Sequence, residues 1–441
     1  MRYVARRLPS HRGPAAWAEI LPQAAQHPLL EGKITVDVAV IGAGFAGLSA
    51  ARRIQQLDPN ARVAVLEAGR IAQAAAGRNS GFMIDLPHDL ASEDYAGAGD
   101  DRTLTRLNRQ AIAFGAEAVA EYGISADFFD PAGKVNGAAT AAGDAHNRSY
   151  AKHLEGLGEP YEWLDAQAMT ALTGSTYYRS GVYTPGTVML QPAGYVRGLA
   201  QGISTGEQVY ENTPVLSLKR EGTAWLLKTP KGHVHAGRVI TAVNGHLESF
   251  GIAKGRLIQL FLLASMTEAL DPATIGGAPR WGVTPSDPMG TTMRRIDPGQ
   301  GGHRIVTRTG AVVRPGMAPH PRDLTRAARL HQRKFSERFP YLGHVRQQYA
   351  WGGHLCLSLN GVAHAREVAP GLFSACVQNG LGTARGTLTG IAAAERAMGH
   401  RSDITAYFEA EPAPRPLPPQ PFATWGANAY LRWKEWRAGA E

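Results

Sequence analysis

The chain has 441 residues, of which 44% are hydrophobic and 19% charged; this excludes extended disorder and suits two intertwined domains of roughly 200 residues each. The net charge of +9 comes from basic residues scattered in short pairs such as Arg6-Arg7 and Arg294-Arg295, a pattern that fits anionic small molecules better than nucleic acid. Two cysteines, Cys356 and Cys376, without CxxC spacing exclude a disulfide framework and a cysteine metal centre, and with no secretory leader and no run of about 18 apolar residues the expected location is the cytoplasm.

Residues 1–32 are rich in Pro and Ala and read as an arm laid on the surface. Thr35–Ile41 is a β-branched, nearly continuous apolar run, the pattern of a strand buried on both faces. Helical spacing follows over Ala46–Leu57, and Arg62–Leu66 is a second buried strand ending at Glu67. Strand, helix and strand within about 35 residues make one βαβ unit. An amphipathic helix is predicted over 103–122. Strands are predicted at 208–210, 214–219, 225–229, 233–235 and 238–243, and in a strand-rich stretch at 257–267, 291–296 and 303–309. Asp297–Gly302 is a turn-rich hairpin loop. A helix is expected over 324–339, a buried strand over 372–377 and a helix from Thr383 to Met398. The tail, with six prolines between 412 and 421, reads as an extended linker rather than packed structure.

Gly42-Ala43-Gly44-Phe45-Ala46-Gly47 is a GxGxxG motif. Its context gives it weight: a buried strand enters, a helix leaves, and the next strand ends in an acid 20 positions after Gly47. Gly42 permits the tight turn, Gly44 lets backbone approach a pyrophosphate, and Gly47 allows close helix–strand packing. First-turn N–H groups and the helix dipole face the phosphates. The carboxylate of Glu67 can accept hydrogen bonds from a ribose diol and would repel a 2′-phosphate, which disfavours NADP. The small, polar segment Ala74–Gly81 suits an extended cofactor such as FAD, whereas an NAD dehydrogenase would continue into another strand–helix repeat. Gly380-Leu381-Gly382 opens a second helix whose positive end suits the electron-rich part of a reduced flavin.

Taken together, GAGFAG, Leu66-Glu67-Ala68, the Gly77-Arg78-Asn79-Ser80-Gly81 segment and the late NGLGTARGTLTGIAAAE helix resemble the D-amino-acid-oxidase-like superfamily of FAD-dependent oxidoreductases. Trp351-Gly352-Gly353 and Pro421–Ala427 resemble most the γ-glutamylputrescine oxidoreductase group within it. The likeness runs from about residue 15 to 437. It implies an α/β fold: an FAD-binding Rossmann-like domain of the glutathione-reductase type and a second, antiparallel-sheet substrate domain. The expected division is an arm at 1–32, a discontinuous FAD-binding domain at 33–100, 150–250 and 346–405, a substrate domain at 101–149 and 251–345, and a Pro-rich linker and tail at 406–441. The resemblance further implies that Gly42, Gly44, Phe45, Ala46 and Gly47 hold the pyrophosphate and that Glu67 and Ala68 hold the ribose. Arg70, Ala76, Arg78, Asn79 and Ser80 would line the path to the flavin ring, and Val215 would present backbone to adenine. Asn244 and Gly245 would pass near the cofactor, and Gly380, Gly382 and Thr383 would face the flavin pyrimidine. Cys356 does not align with the flavin-tethering cysteine of sarcosine oxidases, so non-covalent FAD is expected. Arg304 stands near the position of their oxygen-activating lysine.

The implied chemistry is oxidation of a primary or secondary amine by hydride transfer from the α C–H to flavin N5, with hydrolysis of the imine. Oxygen or an electron carrier would take the electrons. Strand periodicity puts Thr292 with Arg294, and Arg304 with Arg308, on single faces. A cluster of Arg294, Arg304 and Arg308 would bind an anionic substrate group through forked hydrogen bonds. A γ-glutamyl amine, an N-methyl amino acid or an aminophosphonate fits such a site, and a purely cationic polyamine does not. His303, His354 and His364 are further polar candidates. The competing readings are an NAD(P)H-dependent flavin reductase or monooxygenase and a non-catalytic flavoprotein.

Overall fold

The computed structural model describes residues 1–87, 99–204 and 208–441. Residues 88–98, in the stretch assigned above to the FAD-binding domain, and 205–207 lie outside the described residues.

Two large sheets organise the chain. The first has nine strands, and its centre is parallel. Leu372–Ser374, Gly232–Thr241, Gly32–Ile41, Val63–Leu66 and Gln208–Tyr210 lie side by side and run the same way. Their registers align the C-terminal ends in one row: Ser374 opposite Thr241, Thr241 opposite Ile41, Ile41 opposite Leu66, and Leu66 opposite Tyr210. Residues 38–41 and 63–66 are buried on both faces, which explains their unbroken apolar runs. Helices Phe45–Leu57 and Ala384–Met398 cover one side and cross at backbone contact: a Cβ on Gly390 would lie 2.2 Å from the Ala46 carbonyl oxygen.

The second sheet has eight strands, ordered 347–358, 257–267, 304–313, 292–296, 281–285, 134–138, 180–184 and 162–165. All of its neighbours pair antiparallel except 281–285 with 134–138. The sequence division gives 162–165, 180–184 and 347–358 to the FAD-binding domain, whereas backbone pairing seats them in this second sheet. Periodicity identifies a strand and its faces; the partner it pairs with depends on distant residues.

Several local expectations change. The predicted strands 233–235 and 238–243 are one, Gly232–Thr241. The strand predicted over 214–219 begins at Ser217, and the one over 372–377 stops at Ser374. The N-terminal arm is partly core: Arg2–Val4 pairs with Ser217–Lys219, and the helix Ala16–Glu19 carries a fully buried Trp17. Its indole donates to the Asn79 carbonyl at 2.9 Å.

The tail reverses its reading most. After the prolines, Phe422–Ala438 is a 17-residue helix packed along strand Arg304–Val313. Strand 292–296 pairs with that strand only as far as Arg308. Beyond it, the Ala311 N–H donates to Glu435 at 2.8 Å and the Val313 N–H to Asn428 at 3.0 Å, so side chains of the helix replace the missing strand. Downstream, the Glu441 carboxylate accepts from the Thr140 N–H and the Ser286 hydroxyl. Proline density correctly marks 412–421 as irregular but carries no information on the aromatic segment behind it.

Candidate functional site

The loops leaving the aligned strand ends line a cavity of about 430 Å³, the position where open α/β sheets bind ligands. Gly42 has φ +102, and a Cβ there would lie 2.7 Å from the Ala242 carbonyl oxygen. A Cβ on Gly47 would fall 1.8 Å from the Gly42 oxygen, so the helix can start this close to the strand only at glycine. Gly44 is the N-cap and supplies no side-chain acceptor, which leaves first-turn N–H groups directed at the cavity. The Glu67 carboxylate accepts from the Ala43 N–H at 2.9 Å and the Gly69 N–H at 3.1 Å. Burial raises its pKa above the ordinary carboxylate range, and the two N–H groups oppose that shift.

The segment at 72–81 is held by hydrogen bonds along its length. Asn79 donates to the Ala76 carbonyl at 2.6 Å and accepts from the Gly81 N–H at 2.8 Å. Arg78 is buried, and its guanidinium donates to the carbonyls of Gln73, Arg12, Gly13 and Gly352. Its pKa is drawn down to about 10 by that burial. The Trp351 indole donates back to the Arg78 carbonyl at 3.0 Å. Arg78 therefore joins the N-terminal arm, this loop and the second sheet.

A second helix start opens into the same cavity. Asn244, with φ +46, accepts from the Val377 N–H at 3.2 Å and from the Cys356 thiol at 3.0 Å. Val377 and Asn379 hold φ of +64 and +50, and Gly380 +90. A β-branched residue in the left-handed region is strained, so Asn244 and the turn together fix an unfavourable shape. Thr383 leads into the helix and donates to the Phe82 carbonyl at 2.8 Å. Burial holds both thiols protonated, with Cys376 pushed up to about 12 and Cys356 raised well above its usual value.

Of the residues singled out from sequence, Gly42, Gly44, Phe45, Ala46, Glu67, Ala68, Arg70, Ala76, Arg78, Asn79, Ser80, Val215, Asn244, Gly380, Gly382, Thr383, Thr292 and Arg308 line the cavity. Gly47 and Gly245 stand behind the wall; a Cβ on Gly245 would lie 2.2 Å from Gln259 Oε1.

The arginine cluster does not form. Thr292 pairs with Arg308, Arg294 with Val306 and Ile296 with Arg304; the shared face exists, but four residues of strand cover about 13 Å. Only Arg308 reaches the cavity. Arg294 is fully buried and donates to the Gly81 carbonyl at 2.8 Å and Gln300 Oε1 at 2.7 Å, with its guanidinium 5.0 Å from the Trp17 ring. Burial and the nearby Arg280 bring its pKa down to about 9. Arg304 donates to the Thr267 carbonyl at 2.7 Å and to Gln348.

His354 lines the cavity beside two histidines that sequence reasoning missed, His11 and His246. Burial keeps all three neutral: His354 falls to about 3, and the others to about 4 with help from Arg78 and Arg7. His364 bonds Ser374 in the core, and His303 lies off the wall. Tyr430, Leu431 and Lys434 of the C-terminal helix were also missed and line the same cavity. Among the described lining residues Glu67 is the one acid.

Residues 37–396 match the family model described as FAD dependent oxidoreductase. A probable oxidoreductase OrdL of Rhizobium meliloti (strain 1021) is 26% identical over 409 residues, covering 88% of this chain and 89% of its own. Gamma-glutamylputrescine oxidoreductase of Escherichia coli (strain K12) is 24% identical over 418 residues, 91% and 93% of the two chains. The crystal structure of glycine oxidase from Geobacillus kaustophilus shares the fold with a TM-score of 0.69 at 19% identity, covering 85% of this chain and 98% of that one.

Proposed function

The chain belongs to the FAD-dependent oxidoreductase family, and from that premise we propose that it dehydrogenates an amine or amino acid that carries an anionic group. The walls support the cofactor. Gly44 and Gly382 turn their Cβ-less sides to open space: a Cβ on Gly382 would meet no atom within 4 Å, and one on Gly44 only Ala76 Cβ at 3.6 Å. Side chains there would fill the groove that a dinucleotide needs. Glu67 would hold the ribose, the start of helix 45–57 the pyrophosphate, and the loop 378–383 the flavin end. Bound FAD supplies the hydride acceptor at its N5 atom.

The remaining work falls to this chain's side chains. Arg308 would fork onto a substrate carboxylate or phosphonate, with the Thr292 hydroxyl beside it. Leu260, Leu262 and Ala264 of the neighbouring strand give the carbon skeleton an apolar floor that keeps water off the reacting C–H. The neutral histidines add no further positive charge to the cavity, where the amine must arrive unprotonated. The positive end of helix 384–398 would balance the charge that accumulates beside it. Water then hydrolyses the imine product. A protonated thiol bonded to Asn244 is a poor nucleophile, which supports non-covalent attachment.

The observation that carries this reading is the pairing of two glycine-flanked helix starts on one cavity that Arg308 and Lys434 also line. The test is anaerobic bleaching of the 450 nm flavin band by a panel of anionic secondary amines, γ-glutamyl amines and N-methyl amino acids, against polyamines. Acid precipitation should release the flavin to the supernatant. Bleaching by polyamines alone, or by NAD(P)H and no amine, refutes the reading.

A further inference from the structure

The C-terminal helix has two faces. One packs on strand 304–313 through Asn428 and Glu435 and gives Lys434 to the cavity. At 3.6 residues per turn, Phe422, Trp425, Trp433 and Trp436 form a stripe on the other face, with Tyr430 beside it. Trp436 is 79% exposed, Phe422 65% and Trp425 64%. Exposed aromatics are ordinary singly; five along one face of a helix over about 21 Å, at 1.5 Å per residue, are not. The rings contact each other, Phe422 with Trp425 and Tyr430 with Trp433, each pair 5.9 Å between centroids. They therefore form two ring clusters along one face rather than isolated excursions.

The rest of the exposed face sharpens the question. Its other members are Gly426, Ala429, Arg432 and Arg437, with no acid, amide or hydroxyl apart from the Tyr430 phenol. The helix's one acid, Glu435, turns inward to the Ala311 N–H and forms only a loose 3.7 Å pair with Arg432. Arg437 sits 5.5 Å over the Trp433 ring. The occupant must accept flat amphipathic rings and flanking guanidinium groups together.

We propose that this face seats the protein on an anionic lipid surface, with the helix lying in the headgroup plane. Indole and phenol rings partition to that boundary because one end is apolar and the other hydrogen-bonds. Arginines on both flanks of an apolar stripe are the pattern of an in-plane helix drawn to anionic lipid. The overall charge of +9 adds attraction at long range. A second copy is the poorer occupant: a two-fold contact through this stripe would gather both copies' Arg432 and Arg437 between chains that already repel. No described helix is long and apolar enough to cross a membrane, so the contact is peripheral. Because Tyr430 and Lys434 of the same helix line the cavity, the cavity wall sits next to the lipid.

The experiment uses the full-length, FAD-loaded protein. Co-sedimentation with large unilamellar vesicles of phosphatidylcholine alone and of phosphatidylcholine–phosphatidylglycerol (3:1) is measured alongside tryptophan emission. Trp17, Trp225, Trp281 and Trp351 are buried and Trp163 is half-buried under Arg148, so the part of a blue shift that the triple variant loses reports the exposed stripe. The protein should pellet with the anionic vesicles and shift blue. R432Q/R437Q should lower partitioning roughly 10- to 30-fold, at about one kcal/mol per arginine, and W425S/W433S/W436S should abolish it with flavin content unchanged. The proposal is overturned if the protein stays in the supernatant, if both vesicle types pellet it equally, or if the triple variant still pellets. It is also overturned if the stripe instead supports a concentration-dependent dimer that the triple variant dissolves, which would assign the face to a second copy.

Discussion

Replacing Glu67 by Gln keeps the side chain's shape and removes its charge, so it isolates what the carboxylate does. Its two oxygens serve two backbone donors, Ala43 N–H at 2.9 Å and Gly69 N–H at 3.1 Å. An amide can serve one of them and turns its NH2 toward the other. A charge-assisted bond is worth about 1.5–3 kcal/mol, and an unmet donor costs a further ~1–3; water in the cavity softens the second. The glycine loop should loosen, and a ribose diol should lose its charged acceptor. The two effects together raise the Kd for FAD by roughly 10- to 100-fold, at 1.4 kcal/mol per decade. The assay is titration of the apoprotein with FAD, followed by quenching of flavin emission, with the melting temperature of the apoprotein as a control. The carboxylate also sets a pH dependence. Burial raises its pKa, so protonation begins at higher pH than for an ordinary carboxyl, and FAD affinity of the wild type should weaken there on acidification. E67Q should abolish that dependence. An unchanged Kd, or an identical pH profile in the variant, refutes the assignment of Glu67 to the cofactor.

Gly47→Ala should prevent flavin loading and cost ~3 kcal/mol or more, because its Cβ would collide with the Gly42 carbonyl; a yellow variant with unchanged melting temperature would contradict the close approach. Arg308→Ala should raise KM about 30-fold or more, the equivalent of ~2 kcal/mol. Arg294→Met should lower the melting temperature while KM holds, because its bonds go to Gly81 and Gln300; equal KM effects would undo the distinction between them. Below pH 6.5 the unfolded chain takes up protons that folded His354, at about 3, and His11 and His246, at about 4, refuse. Stability is therefore full above about 6.5 and falls as pH drops toward 4, by up to ~1.4 kcal/mol per pH unit for each ring. Urea unfolding of H354Q across that range should show a shallower slope, and an unaltered slope would mean that His354 titrates normally in the folded state.

The glycine-rich end of the cavity was legible because its geometry is local. Strand, glycines, helix and Glu67 occupy one short stretch, and each glycine's role follows from an adjacent backbone atom. The substrate end was not. Period-two spacing put Arg294, Arg304 and Arg308 on one face but said nothing about where along that face the cavity lies. His11 and Lys434 enter the wall from opposite ends of the sequence, and neither carries a local mark. Trp17 lies in a Pro- and Ala-rich arm that composition presents as surface. His246 was within reach, since it directly follows Asn244 and Gly245. Tail prolines weighed more in the sequence reading than the aromatic run after them, although that run is the one that folds.

Asn428 and Glu435 occupy the N–H groups of Val313 and Ala311 where strand 292–296 has ended. A bare stretch of strand in the middle of a large sheet would be a template for another molecule's strand. The C-terminal helix therefore acts as a guard against intermolecular β-pairing, and damage to it would surface first as precipitation during expression or storage, ahead of any change in catalysis.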